Sequence, residues 1–170
     1  MIDTAVEVAD VAVETPAAPV VRACLVEIGG GRMAVDVLVA REVAVFADVT
    51  RVPCAPAHLL GVANLRGAIL PVVDVRPVLG LAADRRGRGV TALVVEEDGM
   101  RIAVVVEAAL GLESFSRILP SASAAHGDLI HGLLPRDGEL IPLLDLSRVL
   151  HALDSRRLGQ ADAPTQEDWT

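Results

Sequence analysis

The chain has 170 residues, 52% of them hydrophobic, yet only two Phe, one Trp and no Tyr, so any core is built from Val, Leu, Ile and Ala. The net charge is −8 and all 15 bases are arginine, which argues against a nucleic-acid partner, since phosphate binding needs clustered positive charge. No apolar run approaches the roughly 18 residues of a membrane-spanning helix, and two cysteines make no disulfide framework.

Residues 1–20 hold Asp3, Glu7, Asp10 and Glu14, no base, and end in Pro16-Ala17-Ala18-Pro19. They read as a flexible acidic tail, although Val6, Val8, Val11 and Val13 alternate in a way that admits an added edge strand. An acidic start without a basic region is not a secretory signal, so the expected setting is the cytoplasm, without direct membrane insertion. Strands are expected near 22–28, 32–39 and 43–49, because β-branched runs suit a pleated surface. Pro56 to Leu60 reads as one helical turn ended by Gly61. A strand at 68–75 and a short helix at 76–80 follow. The loop 82–90 contains Arg85-Arg86-Gly87-Arg88, read as solvated rather than as a phosphate patch. Further strands are expected at 91–97, 101–107, 112–118 and 139–146, then a short helix at 147–152 and a flexible polar tail at 154–170. The tails carry −4 and −2, which leaves −2 for residues 21–153.

The chain repeats itself. GVANLRGAILPVVDVRPVLG (61–80) lies over GLLPRDGELIPLLDLSRVLH (132–151) at an offset of 71, matching Gly61 with Gly132, Pro71 with Pro142 and Asp74 with Asp145. ACLVEIGGGRMAVDV (23–37) lies over ALVVEEDGMRIAVVV (92–106) at an offset of 69. Gly29-Gly30-Gly31 and Asp98-Gly99 are hairpin signals. Two copies are too few for a solenoid; two small closed sheets packed together remove open strand edges better. Proline lacks a ladder donor, so Pro71 and Pro142 are expected at an edge or a bulge. Asp74 and Asp145 read as caps of the turns that follow them.

HLLGVANLRGAILPVVDVRPVLGL (58–81) resembles the signature of the CheW family of chemotaxis coupling proteins, through Gly61, Asn64, Leu65, Arg66, Gly67, Ile69, Pro71 and Asp74. Upstream, AVDVLVAREV (34–43) places Glu42 at the family's usual Glu. The resemblance spans about residues 21–152, and the chain departs from the pattern at Val39, Ala40, Ala109 and Gly111. It implies an all-β fold with a few short helices: two SH3-like five-stranded β-barrels around a shared core, forming one CheW-like domain at 21–153 with matched segments 23–80 and 92–151. It further implies a non-enzymatic adaptor that binds the cytoplasmic tip of a methyl-accepting chemoreceptor and the regulatory domain of a CheA-type histidine kinase.

The candidate partner-binding residues are Val37, Glu42, Gly61, Asn64, Leu65, Arg66, Gly67 and Leu112. Arg66 either braces its loop or also shapes the receptor-facing surface; its second-copy equivalent is Asp137, so the fold does not demand arginine there. Glu42 is a solvated edge charge or a partner contact, and a Glu42–Arg66 pair is expected. Asn64 favours a turn role, since Asn bonds its own backbone. Gly61 and Gly67 answer backbone requirements, where bulk would also obstruct docking. Val37 and Leu112 are core residues or line a groove between lobes. His58, His126, His131 and His151 lack metal-ligand spacing, Ser114, Ser116, Ser121 and Ser123 form no nucleophile elbow, and no Gly-rich loop matches a phosphate cradle. No catalytic, cofactor or metal site is therefore expected. Trp169 sits in an acidic stretch that is either an unstructured end or a short docking motif.

Overall fold

The computed structural model describes residues 21–83, 89–121 and 127–159. The acidic tail, Arg85 to Arg88, Ser123, His126 and Trp169 lie outside the described residues. In chain order the elements are β1 (Val21–Ile28), β2 (Gly31–Asp36), β3 (Ala40–Phe46), β4 (Leu59–Leu65), β5 (Ala68–Val73), β6 (Val90–Glu97), β7 (Met100–Val105), β8 (Ala108–Phe115), β9 (Ile130–Arg136), β10 (Glu139–Leu144) and the helix α1 (Leu146–Gly159). They form two five-stranded sheets, ordered β3-β6-β7-β5-β4 and β8-β1-β2-β10-β9. Each sheet closes through one further bridge, Thr50 with Val62 in the first and Leu119 with Leu133 in the second. These closed sheets are called lobe 1 and lobe 2.

The internal repeat extends to the hydrogen-bond register. Ala23 opposes Asp36 and Ile28 opposes Gly31; the same pairs shifted by 69, Ala92 with Val105 and Glu97 with Met100, recur in β6–β7. Irregularities recur as well. The β3–β6 ladder skips Arg41 and the β1–β8 ladder skips Leu110; the β4–β5 ladder skips Leu60 and the β9–β10 ladder skips His131. Repeat and lobe nevertheless divide the chain differently. Lobe 1 takes β3, β4 and β5 from the first copy and the β6–β7 hairpin from the second, while lobe 2 takes β8, β9 and β10 from the second copy and the β1–β2 hairpin from the first.

This exchange explains why so many strands are apolar on both faces. In β1, Val21, Ala23 and Leu25 fill the interior of lobe 2, and the alternate residues Cys24, Val26 and Ile28 join a core shared by both lobes. The shared core also takes Leu93 and Val95 of β6, Ile102 and Val104 of β7, and Leu146, Val149 and Leu153 of α1. Lobe 1 has its own interior of Ala44, Phe46, Leu70, Val72, Val94 and Val105.

Four two-residue hairpins carry positive φ at both central positions: Gly29-Gly30, Arg66-Gly67, Asp98-Gly99 and Asp137-Gly138. Such turns match the right-handed twist of their flanking strands.

Several expectations are corrected. Residues 56–60 do not form a helical turn: a single turn closes where the Leu59 amide donates to the Pro56 carbonyl (3.0 Å), and β4 begins at Leu59. The strands β4 and β9 are absent from the sequence-based map, which ends a helical turn at Gly61 and assigns no element to 130–136. Residues 76–80 form tight turns rather than a helix, since Gly80 at φ 73° ends the winding at once. The second copy has no such glycine, and α1 runs to Gly159, into the stretch expected as tail. Pro71 and Pro142 lie in β5 and β10, strands flanked on both sides, not at edges or at the skipped positions. Their cross-strand neighbours, Val62 and Leu133, spend both backbone groups on Thr50 and Leu119, so neither β4 nor β9 calls on a proline amide.

Candidate partner-binding surface

Strand β3 alternates strictly. Ala44 and Phe46 point into lobe 1, while Val43 and Val45 stand 45% and 72% exposed. Where β3 begins, the skipped Arg41 turns Glu42 toward the β4–β5 turn, and the two meet: Glu42 Oε2 lies 2.7 Å from Arg66 Nη2, and Arg66 Nη1 donates to Glu42 Oε1 at 3.1 Å. The pair is bidentate, the geometry for which the guanidinium fork is suited. Arg66 is 77% exposed and Glu42 29% by side chain, so the pair contributes only about 0–1 kcal/mol to stability. Arg101, and then Arg41, hydrogen-bond the Glu96 carboxyl on β6 and hold it below the usual carboxylate range.

Arg66 adopts φ 52°, a conformation that costs an L-residue roughly 1–2 kcal/mol. Asp98 and Asp137 occupy the same turn position elsewhere, and Asp tolerates it through local hydrogen bonding. Arginine at 66 therefore answers something other than the turn. Asn64 supplies the turn chemistry instead, its Oδ1 accepting from the Gly67 amide at 2.8 Å. Gly67 takes φ 90° with open space around it. Leu65 is half-buried against the lobe 1 interior.

Gly61 is fixed by close approach. A Cβ there would collide with the Thr50 carbonyl oxygen, at the bridge that closes lobe 1. Gly132 faces the same constraint from Ile118 and the Leu119 carbonyl. Six candidates thus gather on the β3–β4 seam of lobe 1: Glu42, Gly61, Asn64, Leu65, Arg66 and Gly67. The other two stand apart. Val37 is half-buried in the crossover from β2 to β3, its amide donating to the Arg22 carbonyl at 2.9 Å. Leu112 lies on β8 of lobe 2, and its core reading is corrected: it is 58% exposed, because β8 flanks β1 at the margin of the shared core.

Sequence reasoning missed two features. Exposed Val43, Val45 and Ile69, the last opposite Asn64, lay an apolar strip beside the ion pair; the β3 alternation was the available signal. The second is a buried cluster. Asp74 is a cap, with Oδ1 accepting from the Arg76 amide at 3.0 Å, and it also binds the Arg76 side chain through Nε (2.8 Å) and Nη2 (3.0 Å). Arg76 Nη1 reaches Glu107 Oε1 at 2.8 Å. Only a segment apolar enough to be buried whole, VVDVRPV, marks that arginine in the sequence. Asp145 caps α1, accepting from the Arg148 amide at 3.1 Å. Among the described residues no cluster of His, Cys, Asp and Glu is arranged to hold a metal ion, and no helix is long and apolar enough to cross a membrane.

The family model described as the CheW-like domain matches residues 22–154. The chemotaxis protein CheW of Rhizobium meliloti is 31% identical over 127 residues, covering 72% of this chain and 82% of the relative. Protein PilI of Pseudomonas aeruginosa is 31% identical over 93 residues, 52% of each chain. The crystal structure of the scaffolding protein TtCheW from Thermoanaerobacter tengcongensis superposes with a TM-score of 0.67 at 21% identity, covering 75% of this chain and 89% of that one. With all ten strands but their first residue inside the match, the chain belongs to the CheW-like family of chemotaxis proteins.

Proposed function

We propose that this protein is a cytoplasmic CheW-type adaptor that couples the tip of a chemoreceptor to the regulatory domain of a CheA-type histidine kinase, at membrane-associated receptor arrays, without chemistry of its own. The observation that carries the reading is the Glu42–Arg66 pair: an arginine held in an unfavourable turn conformation and bidentate to a seam carboxylate, on a lobe that also exposes Val43, Val45 and Ile69. Burying such an apolar strip against a partner supplies affinity, and the charged pair supplies orientation. Binding two partners at once multiplies weak contacts through effective concentration.

Arg66→Asn and Glu42→Gln test it. Asn accepts the Arg66 backbone conformation, so the unfolding free energy should stay within about 1 kcal/mol of wild type. Co-purification with a receptor-tip fragment or with the kinase regulatory domain should be lost for at least one of the two. Full retention of both partners by both variants removes the pair from the site. The likeness to protein PilI points to one second reading, a non-flagellar pathway, in which the chain would regulate the kinase without a receptor. Kinase stimulation without receptor capture distinguishes it.

A further inference from the structure

Two cavities share part of their lining through the repeat. One of about 70 Å³ is lined by Leu60, Arg76, Val105 and Glu107 among others. The other, of about 210 Å³, is lined by Asp36, Glu97, His131, Asp145 and Ser147 among others, and opens to solvent at the start of α1. The repeat maps Leu60 onto His131, Arg76 onto Ser147 and Val105 onto Asp36. The hydrogen-bond ladders show the same mapping, since Leu59–Val73 and Gly61–Val72 become Ile130–Leu144 and Gly132–Leu143.

In the first half an arginine lines the cavity. The Arg76 side chain is 4% exposed, clasped by Asp74 and by Glu107. In the second half the aspartate persists as Asp145, but the arginine is replaced by Ser147 and the position of Glu107 by Leu38. The larger cavity lies beside the position where Arg76 stands in the first half, on a wall that carries Ser147 instead. Its lining brings together carboxylates from three elements, Asp36 at the end of β2, Glu97 at the end of β6 and Asp145 ahead of α1, with no arginine among them. Asp145 also meets Arg148, whose Nε lies 3.2 Å from Oδ2 on a side chain 58% exposed. Asp36 Oδ1 accepts from the Leu38 amide at 2.9 Å. Each carboxylate keeps further lone pairs for a second donor.

We propose that this cavity accepts the guanidinium of an arginine from a protein partner, in the pose that Arg76 adopts in the other half of the molecule. A planar fork meets a carboxylate edge-on through two parallel hydrogen bonds, as Arg76 does with Asp74, which an ammonium cannot reproduce. Leu38, between the lining residues Asp36 and Val39, is 75% exposed and offers an apolar contact for the arginine's aliphatic stem. Use of the cavity by a partner rests on the adaptor reading, but its occupancy is measurable without any partner.

The test is a titration of the full chain, 15N-labelled, with N-acetyl-arginine amide, and in parallel with the uncharged, similarly shaped N-acetyl-citrulline amide. The arginine probe should shift the amides of Asp36, Glu97, Asp145, Leu146 and Ser147 saturably, while the citrulline probe leaves them in place. Ser147→Arg supplies the missing side chain from within and should abolish the shifts. Asp145→Asn keeps a good helix cap while removing the charge and should abolish them too, so the test stands if the first variant does not fold. Shifts that fail to saturate, that citrulline reproduces, or that survive Asp145→Asn overturn the proposal. Arginine binding without capture of receptor or kinase fragments would refute the coupling reading and leave the pocket; capture without arginine binding would do the reverse.

Discussion

At the scale of single residues, the same pairing of charges serves two ends according to burial. Glu42–Arg66 sits in water and contributes little to stability, whereas Asp74–Arg76–Glu107 is sunk beside the shared core. Removing one member of a buried pair leaves the other charge uncompensated, a loss of about 3–5 kcal/mol. Arg76→Ala should therefore lower the unfolding free energy by that amount in urea titration, and Arg76→Met by less, because it refills the volume. Glu107 Oε2 is already buried without a hydrogen-bond partner, so the cluster has little spare solvation to offset such a loss. The cysteines differ in the same way. Burial in the shared core pushes the Cys24 thiol above its ordinary range, while Cys54 is exposed. Because the thiolate is the reactive form, a neutral-pH thiol titration of the native protein should find one fast group, Cys54, with Cys24 reacting only on unfolding. Replacement of Cys54 by Ser that left a fast group would contradict this assignment.

At the scale of elements, the informative devices are the seams. Each lobe closes where one glycine lets a strand pass against the chain beyond β3 or β8. The obstacles differ. At Gly61 the nearest atoms are backbone, the Thr50 carbonyl oxygen and carbon, and φ is 150°. At Gly132 the nearest atoms are the Ile118 γ2 methyl and the Leu119 carbonyl oxygen, and φ lies outside the left-handed region. Gly61→Ala should cost more stability than Gly132→Ala, each within the about 1–3 kcal/mol typical of overpacking or above it for Gly61. Equal losses in chemical denaturation would mean that closure does not depend on backbone contact. Arg–Glu pairs stand across both seams, Glu42–Arg66 in lobe 1 and Glu113–Arg136 at 2.7 Å in lobe 2. Only the first draws its arginine from the turn itself, which is where the two seams part in character.

At the scale of the whole molecule, exchange of hairpins between lobes makes the two halves interdependent. A chain cut between Ala83 and Gly89 yields β1–β5 and β6–β10, and neither piece holds all five strands of a lobe. Each fragment alone should lack a cooperative unfolding transition, and mixing the two should restore one. The intact chain should unfold in a single transition by both circular dichroism and Trp-independent probes, because the shared core ties the lobes together. Cooperative melting of either fragment alone would show that the copies are self-sufficient.

The sequence by itself determined the β-rich class, the duplication, the turn positions at Gly29-Gly30 and Asp98-Gly99, and the caps at Asp74 and Asp145. All of these follow from local chemistry: turn residues, periodicity, and like segments folding alike. The tertiary structure alone decided which copy supplies which strand, because strand partners are chosen by apolar faces that the near-uniform Val, Leu and Ala runs do not distinguish. It also decided that Gly61 and Gly132 lie inside strands, that Leu112 faces solvent, and that Arg76 is buried, since each depends on what a distant part of the chain places beside it. A residue's own neighbours in sequence set its backbone; its burial is set by neighbours in space.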